Sequence, residues 1–304
     1  MKASRIIVTS LIFILSFALV AQAQNVSQSF GQNQTVNWSN QMIRSTGIGS
    51  PNPNLPISAQ RATAIKAAQL DAVRNLLETI KGIYLTSETT VRNSMVENDV
   101  IRTRVEGLVQ GYKIVEGPRY MSDGSVEVVV EMPITGQISD ALLPGQFGGG
   151  QYLTGAQMVC PTCGQPWPQG RTVPPGVTLQ QIGGTTPSMA SGVFTGLVVD
   201  CKGLGIRPAM APKIVDEAGN EIYGSKFVSR EWAVEIGMVG YDKDLDRARQ
   251  NDRVTNNPLV IKGLRASGPN KTDVVISATD ASMIHQAGAN QNFLDKCKVM
   301  FIVN

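Results

Sequence analysis

The chain has 304 residues, with 27 Lys and Arg against 24 Asp and Glu, a single His and four Cys. Without the first 23 residues, which hold Lys2 and Arg5, 25 basic residues face 24 acidic ones. That near-neutral balance argues against nucleic acid as a partner, which needs a concentrated basic surface, and against electrostatic docking to a membrane.

The opening, MKASRIIVTSLIFILSFALVAQAQ, has the pattern of a secretory signal peptide over residues 1–23. Lys2 and Arg5 precede a 15-residue uncharged apolar run (6–20), and Ala21-Gln22-Ala23 is a small-x-small cleavage site. The run is shorter than the ~20 residues that span a bilayer. Export is therefore expected, with the mature chain starting at Gln24 and touching membranes peripherally at most. Residues 24–34 read as a flexible polar leader. A first compact region is expected over 35–137, a Gly/Pro/Thr-rich linker over 138–191, and a second region over 192–304.

Within the first region, TVNWSNQMIRSTGIG alternates and reads as one strand. The stretch 57–82 is the clearest helix. Ile65, Ala68, Ala72, Val73, Leu76, Leu77 and Ile80 share one face, Asp71, Arg74, Asn75, Glu78 and Lys81 take the other, Ser58 caps the start and Gly82 stops the end. Six alanines (59, 62, 64, 67, 68, 72) keep its first half slim enough for a close approach. IYLTSETTV reads as a strand, 100–108 as a short helix, and YKIVEGPRYMSDGSVEVVVEMPI as a hairpin turning at Asp123-Gly124. The expected order is β-α-β-α-β-β, with helices on one face of a small sheet. The second region reads as mainly β within an α+β class, with several antiparallel pairs. GVFTGLVVDC, a hairpin turning at residues 217–220, REWAVEIGMVGY, NPLVIKGLRA, TDVVISAT and the C-terminal run supply strands, and DKDLDRARQ and DASMIHQAG supply helices.

Chemistry is sparse. In an exported chain four cysteines are most simply two disulfides. A Cys201–Cys297 bridge would close a long loop at ~4 kcal/mol in the chain-entropy model, while other pairings stay open. Cys160 and Cys163, in MVCPTCGQPWPQG, fit a disulfide, one half of a metal knuckle or a redox dithiol. They are the only metal candidates, and no cofactor is expected. His285 reads as a surface histidine near a helix end. GQFGGGQ lacks the Lys of a phosphate loop, VDEAGNE lacks calcium-loop spacing, and the charges of DKDLDRARQNDR suit a solvated helix face. No nucleophile, base and acid converge, so a binding or structural role is expected and not an enzyme. Trp38, Trp167 and Trp232 are the candidates for a stacking surface if the protein is instead a module for a glycan or peptide.

One stretch resembles a known family. Ala68, Asp71, Ala72, Arg74, Asn75, Leu76, Glu78, Ile80 and Gly82 are followed by Ser87, Thr89, Thr90 and Val91, and then by Val100, Gly107, Val109, Gly111 and Ile114. Over about 35–137 this is similar to the bacterial envelope lipoproteins that include the flagellar protein FlgP and the N-terminal domain of FlgT, here with a C-terminal extension. The resemblance implies an α/β domain, a periplasmic or outer-membrane location, and a non-enzymatic role as a repeated subunit of rings or disks. It implies as partners the protein itself and other envelope proteins. Members carry a lipid-attached cysteine at the mature start. Gln24 stands there in this chain, so no lipid anchor is carried over.

Overall fold

The computed structural model describes residues 25–150, 157–159, 177, 180–182 and 193–304. The expected signal segment, and Cys160, Cys163 and Trp167, lie outside them. The fold is α+β, as expected.

The first half is a five-stranded antiparallel sheet of order β1-β2-β3-β5-β4, formed by β1 (Ser27–Gly31), β2 (Gln34–Asn37), β3 (Met42–Gly49), β4 (Lys113–Tyr120) and β5 (Val126–Pro133). β1 lies where a flexible leader was expected. Its small polar residues give no hydrophobic signal, but Trp38 holds it. The Trp38 amide donates to the Val26 carbonyl at 2.7 Å and the indole N–H donates to Gln28 at 3.1 Å. The single strand expected across 35–49 is two, β2 and β3, because Gln41 turns the chain at φ +55°.

Helix α1 (Ile57–Gly82) lies across β3 and β5. Its start is Pro56 with no side-chain cap, not Ser58, and Gly82 belongs to its last turn, with Ile83 as C-cap. Ala64, Ala68 and Ala72 are fully buried and face Gly47 and Gly49 of β3. A Cβ on Gly47 would lie 2.1 Å from the Ala72 amide nitrogen, and one on Gly49 2.1 Å from the Ala64 carbonyl oxygen. Two hydrogen-only side chains opposite a slim helix face thus let backbone meet backbone. Asp71 and Asn75, expected in solvent, have work at this junction. β2 begins opposite Ser45, and beyond the Thr46 amide, which donates to Asn33, β3 needs other partners. The Ile48 amide donates to Asp71 at 3.0 Å and Asn75 donates to the Thr46 carbonyl at 2.9 Å. The opposite face of the sheet is solvated and carries Arg44 paired with Glu116 and Glu131, and Arg119 paired with Glu116 and Glu127.

The strand expected at IYLTSETTV is absent. A lone Tyr84–Thr90 bridge closes a turn in which the Leu85 amide donates to the Thr89 carbonyl, and Thr90 caps α2 (Val91–Glu97) by accepting from the Asn93 amide. Ser and Thr hydroxyls satisfy backbone groups locally and compete with strand pairing. Asn98 then caps α3 (Asp99–Leu108), close to its expected span. The β4–β5 hairpin turns at Asp123-Gly124, with Gly124 at φ +82°, as its sequence indicates. Helix α4 (Gln137–Leu142) follows. Within the linker stretch, β6 (Gln157–Val159) pairs antiparallel with β7 (Gln180–Ile182).

The second half centres on a parallel sheet of order β11-β15-β8-β12, formed by β8 (Leu197–Asp200), β11 (Gly240–Asp242), β12 (Leu259–Lys262) and β15 (Val299–Ile302). Several antiparallel pairs were expected; Glu221–Tyr223 with Ile214–Val215 and Arg265–Ser267 with Asp273–Val275 do pair so, but this central sheet does not. The runs LVV and VMFI are instead buried on both faces, as parallel strands are: Val198, Met300 and Ile302 pack with Ala248 and Val254, while Leu197, Val199, Val299 and Phe301 join the main core. A second sheet, β10-β9-β14-β13, comprises β9 (Ile214–Val215), β10 (Glu221–Tyr223), β13 (Arg265–Ser267) and β14 (Asp273–Val275). REWAVEIGMVGY is not one strand. It forms α5 (Arg230–Ile236), broken by Gly237 at φ +77°, and then β11. Its alternation misleads because within α5 the residue that is buried is the small Ala233, not one of the larger apolar ones. Helices α6 (Leu245–Arg249) and α7 (Ala278–Gln291) complete this half.

The halves share one continuous core. The Trp38 ring meets Tyr241 edge-on at 5.6 Å, Ser39 donates to the Tyr241 carbonyl, and the Met210 and Ala211 amides donate to the Tyr84 and Leu85 carbonyls. Arg230 donates to both the carbonyl and the carboxylate of Asp140.

Candidate functional site

Cys201 and Cys297 are free, buried thiols. The Cys201–Cys297 bridge is therefore corrected, and the parallel register explains why. Asp200 is opposite Ile302, which sets Cys201 at the far end of β15 while Cys297 precedes its start. About six residues at ~3.3 Å each separate the two levels, well beyond the Cα spacing a disulfide tolerates. Burial pushes the Cys201 thiol far up and the Cys297 thiol up to about 12, so neither forms thiolate at neutral pH. In the native protein both are expected to resist iodoacetamide. After unfolding without reductant, both should be recovered carbamidomethylated in peptide mapping. Recovery of a peptide linked through Cys201 and Cys297 would contradict the structure.

His285 is in the interior of α7, buried at 1 % exposure, and not at the surface. Its Nε2 donates to the Ile222 carbonyl at 2.8 Å, and its ring is 4.9 Å from that of Phe227. Burial holds its pKa below the ordinary value, so the ring is neutral in the fold. As pH falls through about 6.5 the unfolded chain takes up this proton while the folded chain resists, so stability falls with acid from that point. Urea midpoints measured from pH 7 to pH 5 are expected to drop more steeply for the wild type than for His285→Gln. Parallel slopes would contradict this assignment. Beside His285, Lys213 and Lys226 approach Glu221 at 3.3 and 4.0 Å along a cavity of ≈ 620 Å³. Asp216, in the VDEAGNE turn, is buried and accepts from both nitrogens of Asn220.

A second cavity of ≈ 480 Å³ opens at the junction of the halves. The β2–β3 turn gives it Ser39, Asn40 and Gln41, helix α5 gives it Trp232 and Glu235, and the approach to β15 gives it Lys296 and Lys298. Its floor is fixed by Arg253, whose guanidinium donates to the Gly237 and Cys297 carbonyls at 2.9 Å each and also to that of Ile236. The sequence reading left Arg253 among solvated charges. A Lys/Arg-rich stretch gives no sign that one of its cations points inward. The same stretch hides the pair Asp242–Arg247, whose carboxylate is only 6 % exposed. Of the tryptophans offered as a stacking surface, Trp38 is buried in the core and Trp232 lines this cleft.

One further surface stands out. Along β4 and the turn after it, Ile114, Val115, Tyr120 and Met121 are 39–52 % exposed, a run of apolar side chains at a sheet edge. Among the described residues no helix is long and apolar enough to cross a membrane, and no group of three His, Cys, Asp or Glu could hold a metal ion.

Fold and surfaces define an α+β protein of two fused halves, the first a helix-braced antiparallel sheet and the second a parallel sheet with flanking helices. Residues 45–133 match the model of the LPP20 lipoprotein family, and residues 196–304 match that of the second domain of Treponema pallidum Tp0624. The first half is thus similar to an envelope-associated lipoprotein family, and it carries a C-terminal extension similar to a different domain. No curated protein matches the chain.

Proposed function

We propose that this is an exported, non-enzymatic structural protein of the bacterial envelope that assembles with copies of itself and with other envelope proteins, in the manner of ring- or disk-forming subunits around a flagellar motor. The observation that carries the reading is the apolar run Ile114, Val115, Tyr120 and Met121 within the lipoprotein-like half. Exposed apolar residues gathered on one element mark contact surfaces more often than scattered ones do. The manner of contact follows from the strand. β4 is an edge strand, yet Pro118 and two register shifts interrupt it. Such features blunt backbone pairing with another strand, so the contact is made by side chains. On the face of the same sheet turned away from α1, Arg44 and Arg119 pair with Glu116, Glu127 and Glu131. A surface carrying both signs in this way can complement a second copy of itself.

Light scattering on the mature protein over rising concentration, with crosslinking in cells, tests the proposal. Concentration-dependent oligomers that the pair Ile114→Glu and Tyr120→Ser abolishes are expected. A monomer at all concentrations that crosslinks to no envelope protein overturns it.

A further inference from the structure

We propose that the cleft at the junction of the two halves binds a saccharide carrying acetamido and carboxylate groups. Neither family match assigns it. Its wall from the β2–β3 turn, residues 39–41, precedes the first matched region, and its other wall belongs to the second. The cleft is complete only when the halves are joined, and such junctions are where ligand sites concentrate.

The lining fits sugar chemistry. Trp232 is half-buried at the cleft and offers a flat face of the kind that packs on the C–H side of a pyranose ring. Asn40 and Gln41 each offer an amide that donates and accepts at once, which suits vicinal hydroxyls and an acetamido group. Lys296 and Lys298 place two cations on one side, which suits a single carboxylate, while Glu235 supplies an acceptor for hydroxyl protons. The carboxylates of Glu235 and Asp252 in the same cleft weigh against a multiply charged phosphate ligand. The frame is pre-set. Arg253 locks the floor, Ser39 bonds across the junction to Tyr241, and Gln41 is held at φ +55° with its carbonyl accepting from the Ile134 amide. Strained backbone that its surroundings over-determine recurs at ligand sites, and a pre-organised cleft spares the ordering entropy of binding.

The test uses the mature full-length chain and two probes, a β-1,4-linked N-acetylglucosamine disaccharide and the same disaccharide with a lactyl carboxylate on one ring. Calorimetry is expected to show saturable binding of the carboxylated probe and weaker binding of the neutral one. Trp232→Ala is expected to lower affinity for both by about tenfold or more. The double change Lys296→Ala, Lys298→Ala is expected to lower affinity for the carboxylated probe about tenfold and leave the neutral probe within about twofold. Unchanged thermal unfolding of these surface variants shows that they remain folded. Saturable binding of neither probe at about 10 mM, or affinities indifferent to these substitutions, overturns the proposal. Light scattering on the same samples reports assembly separately, so a failure here is distinguishable from a failure of the assembly reading.

Discussion

Gly47→Ala is expected to destabilise the protein by about 3 kcal/mol or more, at the upper end of what overpacking costs. The added methyl would lie 2.1 Å from the Ala72 amide nitrogen and 2.2 Å from the Ala68 carbonyl oxygen. Both are helix backbone atoms, so no rotamer change relieves the contact. Helix α1 would have to lift from β3, loosening Leu76 and Ile80 and pulling Asp71 and Asn75 from the strand edge they cap. Truncating Ala72 to Gly leaves the clashing atoms in place, so Ala72→Gly is not expected to rescue the variant. Gly107, near the end of α3, has no atom within 4 Å of an added Cβ, and Gly107→Ala there is expected to be neutral or to stabilise by about 0.5 kcal/mol. Urea midpoints at unchanged slope measure both. A Gly47→Ala protein within about 0.5 kcal/mol of wild type would contradict the close approach.

Arg253→Met is expected to cost roughly 3 kcal/mol, because it leaves the Ile236, Gly237 and Cys297 carbonyls without their donor. Burial lowers the arginine's own pKa. The stabilisation comes from joining two loops through a planar fork of donors, which a lysine reproduces only in part, so Arg253→Lys is expected to fall between Met and wild type. Thermal unfolding is the measurement. If Lys and Met destabilise equally, the fork geometry is not what matters; if neither does, the floor of the cleft is held by something else.

The structure also explains why one stretch of sequence resembles an envelope family so specifically. Ala68 and Ala72 give the helix its closeness to β3, Asp71 and Asn75 serve the strand beyond its pairing with β2, and Glu78 pairs with Lys81 and Arg92. The motif is a brace between one helix and one strand. It was legible as helix and as pattern, but Asp71 and Asn75 were read as solvent-facing because helical periodicity knows nothing of where a neighbouring strand runs out of partners. The candidate cleft was less legible still. Trp232 could be singled out as an aromatic, but Gln41, Arg253 and Lys298 are far apart in the chain, and nothing local marks them as neighbours.

What the sequence by itself determined is local: the 57–82 helix from its spacing, the β4–β5 hairpin from Asp-Gly ahead of alternating valines, the 217–220 turn, and the mixed α+β class. These depend on interactions within a few residues, whose free energies short patterns encode. Only the tertiary structure decided that β8, β11, β12 and β15 lie parallel, that Cys201 and Cys297 stand at opposite ends of their strands, that His285 and Arg253 point inward, and that both halves share one core. Each of those outcomes is set by contacts between residues tens to hundreds of positions apart. The hydrophobic effect that drives them is non-directional: it requires these side chains to be buried but leaves their partners to be chosen by the packing of the whole chain.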